Sequence, residues 1–318
     1  MTAQLGTMAG MPEARPAGDS TPIAGRGQLA LAWSRLRKDR MALLAGTVIL
    51  LLVAIALAAP LIAQVTGHQP DEQFRETGLT SAGLPVGPSR EFWFGTDNLG
   101  RDIFIRVVYG ARISLLVGVL STVLAVTAGL IVGLVAGYLG GAVDTALARF
   151  MDLVLSFPLL LFAIALVSVV GPSVPLAILV IAFFSWAAVG RIVRGLALSI
   201  KEREYIEAAR ALGAGNRRIM LIEVLPNVVA PVIVYTTLLI PVAIVFEATL
   251  SFLGLGVLPP TPSWGNMLSD SLQFYQVAWW FVLFPGLALL VTTLAFNLLG
   301  DSVRDALNPT ASNLAGTR

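Results

Sequence analysis

Six apolar runs, roughly Met41–Gln64, Ile113–Gly137, Phe150–Val170, Val174–Gly190, Val228–Phe252 and Trp279–Leu299, decide what this chain can become. About 20 helical residues cover a ~30 Å hydrocarbon core, and all six are long enough to cross, Val174–Gly190 being the shortest. Charged residues make up 13% of the chain and hydrophobic ones 56%, whereas a soluble domain carries roughly 25% charge. The expected fold is therefore an all-α membrane protein with six transmembrane helices. Ala56-Leu57-Ala58 resembles a secretory cleavage site, but the leader before the first run and the length of that run fit a retained span better than a signal peptide.

Charge orients the bundle. Placing the N-terminus inside puts sixteen Lys and Arg residues on the inner side and five on the outer: Arg75, Arg90, Arg101, Arg106 and Arg112. Positive residues concentrate in cytoplasmic loops, so the expectation is N-in and C-in. The boundaries that follow are a disordered cytoplasmic stretch over 1–29, a basic anchor (Trp33 to Arg40) and first span over 30–64, and an extracytoplasmic segment over 65–112. A five-helix core over 113–307, with a cytoplasmic loop at 199–227, and a tail over 308–318 complete the chain.

The loop Lys201–Asn227 is the one long charged stretch between very apolar ones. On a helix, Tyr205, Ala208, Ala209 and Leu212 fall at i, i+3, i+4 and i+7 and make one apolar stripe. Arg203, Glu207 and Arg210 lie off it, at spacings that allow ion pairs. Ser199 with Glu202 fits a capping box, and Gly213 the left-handed residue just past a helix end. Pro226 is expected to end the short helix that follows. Two adjacent alanines let another protein surface approach the backbone, so the stretch reads either as a docking element or as a solvated loop. It holds no nucleophile, base or metal ligand.

Gly129, Gly133 and Gly137, with Ala125 extending the row, place small residues on one face of the second span, for packing within the chain or against a partner. Pro158, Pro231 and Pro241 are expected to kink or unwind their spans. Glu247, near one end of the fifth span, must face protein, water or a partner; interfacial placement, a partner contact and a pathway role all stay open. Asp152, Asn297 and Asp301 read as boundary residues. Phe94 to Asp102 reads as a turn leading into a helix capped by Thr96 or Asp97, with Arg101 and Asp102 in surface pairs. Trp264, in a Gly- and Pro-rich loop, suits a membrane interface. With no Cys and His68 as the single His, thiolate sites and His-based metal or triad constellations are excluded. A formal charge of +2 leaves no footprint for nucleic acid.

These motifs carry a family resemblance. Glu207-Ala208-Ala209, Gly213 and Leu225-Pro226 are in register with the coupling loop of ATP-binding-cassette importer permeases, except that Glu223 stands where the family has Ile, with Val224 beside it. Phe94–Leu115, Ser251–Leu268 and Asn297–Leu307 resemble signatures of the dipeptide, oligopeptide and nickel importers; Asn308-Pro309-Thr310 replaces their usual Asp-Pro-Arg ending. From about Leu36 to Pro309 the chain resembles the C-type permease of that family. The resemblance implies the type I importer permease fold in a prokaryotic cytoplasmic membrane. It also implies a complex with a homologous permease, two cytoplasmic ATPases and an extracytoplasmic solute-binding protein. Tyr205, Glu207, Ala208, Ala209, Arg210, Leu212 and Gly213 would then couple to an ATPase. The chain has no Gly-Lys pair and so no phosphate loop; ATP and Mg are expected on partner chains, with no cofactor here. Di- or oligopeptides are the first expectation for cargo, ahead of nickel chelates, opines or glutathione-like solutes. A secondary transporter would need a pathway of its own, usually with inverted repeats, and no repeat is visible; a membrane enzyme would need a catalytic pair within a span, and none occurs.

Overall fold

The computed structural model describes residues 28–307 of the chain. The expectations for most of 1–29, for 308–318 and for Asn308-Pro309-Thr310 lie outside the described residues.

The helices in order are α1 (Gln28–Leu36), α2 (Arg40–Thr66), α3 (Ile103–Leu139), α4 (Gly141–Ser156), α5 (Leu159–Val170), α6 (Val174–Lys201), α7 (Glu204–Ala211), α8 (Asn216–Arg218), α9 (Leu225–Phe252), α10 (Trp264–Ser271) and α11 (Trp279–Leu307). No strand forms among the described residues beyond two isolated bridges, Leu79 with Pro85 and Thr96 with Asp102. Five helices among the described residues are long and apolar enough to cross a membrane, and six spans result if the bent pair α4–α5 counts as one.

That break corrects the expected continuous span Phe150–Val170: the two helices meet at 81°. Phe157 is extended at φ −85°, ψ 132°, the conformation that a following proline imposes, and Pro158 cannot donate into the preceding turn. Pro231 and Pro241, by contrast, lie inside an unbroken α9. The second span starts ten residues earlier than expected, at Ile103. Its 37 residues reach about 55 Å at 1.5 Å per residue, so the first turns project beyond a ~30 Å core.

Packing follows side-chain size more than hydrophobicity, because lipid is as apolar as the bundle's interior. The buried positions of α2 are all alanines, Ala42, Ala45, Ala56, Ala59 and Ala63, while Leu43, Leu50, Leu57 and Leu61 face outward. The most extensive helix pair is α3 with α6, and the glycine row lies in it. A methyl group at Gly129 would sit 2.6 Å from Val189 Cβ, one at Gly137 2.7 Å from Ala197 Cβ, and one at Gly133 would overlap the Gly190 carbonyl. The row therefore packs within the chain.

Of the basic cluster before the first span, Arg35 belongs to α1, which lies against α11, Arg37 and Lys38 sit in the turn that follows, and Arg40 opens α2. Arg35 Nη1 donates to the Ala306 carbonyl at 3.2 Å, and the Asp39 carboxylate caps α2 by accepting from Met41 N at 2.8 Å.

Candidate functional site

The charged loop sits at the end of α3 remote from residues 67–102, since the Tyr138 hydroxyl lies 3.2 Å from Asn216 Oδ1. α6 runs through Ser199 to Lys201, so the expected Ser199–Glu202 capping box does not form. The core carries that helix on, with Ala197 and Ile200 both buried. α7 starts at Glu204 after Arg203, with no side-chain cap. Its far end matches expectation. Gly213 has φ +83°; its N–H bonds to Arg210 O at 2.9 Å, and Ala214 N bonds to Ala209 O at 3.0 Å. This is the Schellman closure that a residue without Cβ permits.

One side chain fixes the face of α7. Ile206 is fully buried, and Ala209 packs partly against the core. Tyr205 is 43% exposed and Leu212 89%, with Glu207, Ala208 and Arg210 exposed beside them. The expected stripe is thus mostly an outward face, held in place by Ile206, which the reading of the stripe missed. Ion pairs of Glu207 with Arg203 or Arg210 are absent among the described residues; exposed pairs of this kind contribute little.

Pro226 does not end a helix. α8, a π-helical turn (Ile219–Val224) and α9 run on as one rod from Asn216 to Phe252. The wider turn brings residues i and i+5 to one side, and Ile219, Val224 and Val228 are all fully buried. Val224 thus takes the inward apolar position while Glu223 remains half-buried. Around this end the basic groups of α6 are tied to α4. Arg194 grips Asp144 through two bonds of 2.5 and 2.7 Å, and Arg191 reaches Asp152 at 2.5 Å.

The opposite end is a locked structural unit. Thr96, Asp97, Arg101 and Asp102 are buried, not at the surface. Asp102 is the N-cap of α3 and accepts from Phe104 N at 2.8 Å; its other oxygen meets His68 Nδ1 at 2.6 Å. Burial pushes the Asp102 carboxyl above its ordinary value despite the hydrogen bond from His68, and burial raises Asp270 as well. Asp97 Oδ2 lies 2.6 Å from Arg101 Nε and 3.3 Å from Arg106 Nε. Trp280 Nε1 donates to Thr96 O at 3.2 Å, joining the unit to α11. Trp264 is enclosed in protein, not at an interface, and its Nε1 donates to Val107 O at 3.1 Å.

Glu247 is fully buried inside this chain. Ser114 Oγ donates to Oε2 and Ser251 Oγ to Oε1, both at 2.7 Å. A direct contact with a partner permease or with solute, as the sequence allowed, is not available in this arrangement. The carboxylate instead joins α3 to α9, and Val257 N donates to the same Ser251 hydroxyl at 3.0 Å. Among the described residues no cluster of His, Asp or Glu is placed to hold a metal ion.

The arrangement places a small outward-facing helix at one end of a bundle of spans and a rigid cap at the other. Residues 129–313 match the family of binding-protein-dependent transport system inner membrane components. Residues 27–79 match the N-terminal transmembrane domain of oligopeptide transport permease C. The chain is 47% identical to the dipeptide transport system permease protein DppC of Escherichia coli K12, covering 87% of this chain and 91% of that one. It is 44% identical to the dipeptide transport system permease protein DppC of Alkalihalophilus pseudofirmus, covering 87% and 88%. It is also 44% identical to the glutathione transport system permease protein GsiD of Shigella flexneri, covering 87% and 89%.

Proposed function

The chain belongs to the inner membrane components of binding-protein-dependent transport systems and is a permease of an ATP-binding-cassette importer, and from that premise we propose that it imports di- or oligopeptides by mechanical coupling to partner ATPases. It is an integral protein of the cytoplasmic membrane with the type I importer permease fold. Its partners are a homologous permease, two cytoplasmic ATPases that supply ATP and Mg chemistry, and an extracytoplasmic solute-binding protein. The chain itself is non-catalytic.

The observation that carries this reading is the outward face of α7. Tyr205, Ala208 and Leu212 stay exposed, while Ile206 roots the helix in the bundle. An apolar strip left open to water has a reason to exist if another protein covers it. Seated in a cleft of one ATPase, α7 acts as a lever. It is joined to α6 by a two-residue break and to α9 through residues 212–215, α8 and the π turn, so closure of the ATPases re-packs both spans and switches the central cavity between outward and inward access. The topology is N-in and C-in, with α7 in the cytoplasm.

Charging the seat tests the assignment. In Ala208→Asp with Leu212→Asp, both on the exposed face, ATP-driven peptide uptake into proteoliposomes is expected to be lost, together with co-purification of the ATPases. Intact uptake and assembly in that variant would remove the coupling role. Glutathione-like cargo is the second reading, favoured by the identity to the glutathione permease. Calorimetry on the cognate solute-binding protein, titrated with dialanine and with glutathione, separates the two.

Glu247 belongs to the moving part, as the tie between α3 and α9. Glu247→Gln keeps the shape but offers one acceptor oxygen where Ser114 and Ser251 now find two, so uptake is expected to fall more than the yield of assembled complex. Equal losses of uptake and assembly would make the residue purely architectural.

A further inference from the structure

Where α6, α9 and α11 meet the start of α7, a cavity of about 610 Å³ opens between the lever and the bundle. Its polar wall is Ser199, Arg203, Tyr205, Asn227 and Arg304, and Pro231 and Val234 stand in its apolar wall. No acidic residue lines it. Arg101, Arg106, Arg191 and Arg194 each pair with an aspartate, whereas Arg203 and Arg304 make no ion pair among the described residues. Both are exposed residues at the edge of this space, and the fork of donors on each guanidinium matches the oxygens of a carboxylate or phosphate. Asn227 Nδ2 donates to the Tyr205 hydroxyl at 3.4 Å and to Glu223 O at 2.6 Å, so Tyr205 accepts from the wall and keeps its own proton to donate. The volume lies in the range of small-molecule sites, about 300–1,000 Å³.

We propose that this cavity binds an oxyanion, the carboxylate end of a short peptide already delivered to the cytoplasm, and that occupancy slows ATP turnover. Arg203 immediately precedes α7, and Arg304 lies in the last turn of α11. An anion bridging them ties the lever to the bundle and opposes the movement that coupling requires. Accumulated solute then brakes its own import. The apolar part of the lining suits a peptide side chain beside its carboxylate. The inference rests on the coupling role given above. A phospholipid phosphate offers the same oxygens, and the experiment separates the two sources.

The complete complex is placed in phosphatidylcholine nanodiscs, which leave both faces accessible, with the solute-binding protein already saturated. ATP hydrolysis is followed while dialanine or its C-terminal amide is added in excess, and again in discs containing phosphatidylglycerol. Dialanine is expected to slow turnover several-fold and the amide to leave it unchanged. In Arg304→Gln, half-inhibition should need about tenfold more dialanine, the loss of one charge-assisted contact. Slowing by phosphatidylglycerol that Arg304→Gln relieves, without an effect of dialanine, overturns the peptide assignment in favour of a headgroup. No response to either anion, or equal inhibition of both proteins, overturns the site. ATP-driven uptake by the same complex in proteoliposomes is measured in parallel. Its failure counts against the coupling role, while normal uptake without an anion effect counts against this cavity alone.

Discussion

Asp97 holds two guanidiniums in a space closed to water, with Arg101 Nε at 2.6 Å and Arg106 Nε at 3.3 Å. Arg106 Nη1 also donates to Pro70 O at 3.0 Å, which fastens the first turns of α3 to the preceding segment. Removing the carboxylate leaves the buried Arg106 without an ion pair and Arg101 with Asp270 alone, at 3.7 Å, at a cost of about 3–5 kcal/mol. Asp97→Asn is therefore expected to lower the thermal midpoint in detergent markedly, and adding Arg106→Met should restore part of it. Unchanged melting in the single variant would mean that this cluster is solvated. The neighbouring Gly95 shows the same closeness in backbone form. Its φ is +75°, and a Cβ there would lie 2.6 Å from Trp280 Nε1, so the turn before Asp97 tolerates no side chain. The sequence placed Thr96, Asp97, Arg101 and Asp102 in one local unit. Their burial was not legible, because it depends on Pro70, Asp270 and Trp280, which are far away along the chain.

At the scale of elements, the pair α3–α6 shows what small residues do in lipid. Gly129, Gly133 and Gly137 let the two backbones approach until the carbonyls of Trp186, Gly190 and Arg194 stand where methyl groups would be. No rotamer of a larger side chain relieves a clash with backbone, so Gly133→Leu should force the helices apart at a cost of about 1–3 kcal/mol or more. The expected outcome is a large loss of monodisperse protein in size-exclusion chromatography of the purified complex; a normal yield would place the row outside the packing. The glycine spacing was readable in sequence, and its partner helix was not, because four-residue spacing marks a face without saying what covers it. The α4–α5 break has a similar history. Pro158 was visible as a kink, whereas the 81° turn goes with the packing of α4 against both α3 and α6, which the local sequence does not show. The π turn was invisible: nothing in Ile219–Val224 marks it, and it arises where Ile219 and Val224 must both point inward.

For the molecule as a whole, function depends on two ends that do different work. Residues 67–102 lock the starts of α3 and α11 into a rigid unit, and α7 lies beyond the far ends of α3 and α11. The absence of cysteine makes the proposed orientation simple to test with single substitutions. Leu212→Cys and Leu84→Cys stand at opposite ends, 89% and 39% exposed. An impermeant maleimide added to intact cells should label Leu84→Cys and spare Leu212→Cys, with the reverse in inside-out vesicles stripped of the partner ATPases. Labelling of Leu212→Cys from outside would reverse the topology and place α7 beyond the reach of any cytosolic ATPase.

The sequence by itself determined that the chain lives in a bilayer as helices, roughly where the apolar spans fall, and which loop carries the family's coupling motif. These are local properties: hydropathy over about 20 residues, and residue spacing along one segment. Only the tertiary structure decided which face of α7 is free, since that follows from the single inward anchor Ile206. It likewise decided that Glu247 joins two helices inside the chain, and that Arg203 and Arg304 share a cavity. In a membrane bundle hydrophobicity does not separate inside from outside, so the assignment of faces waits on packing.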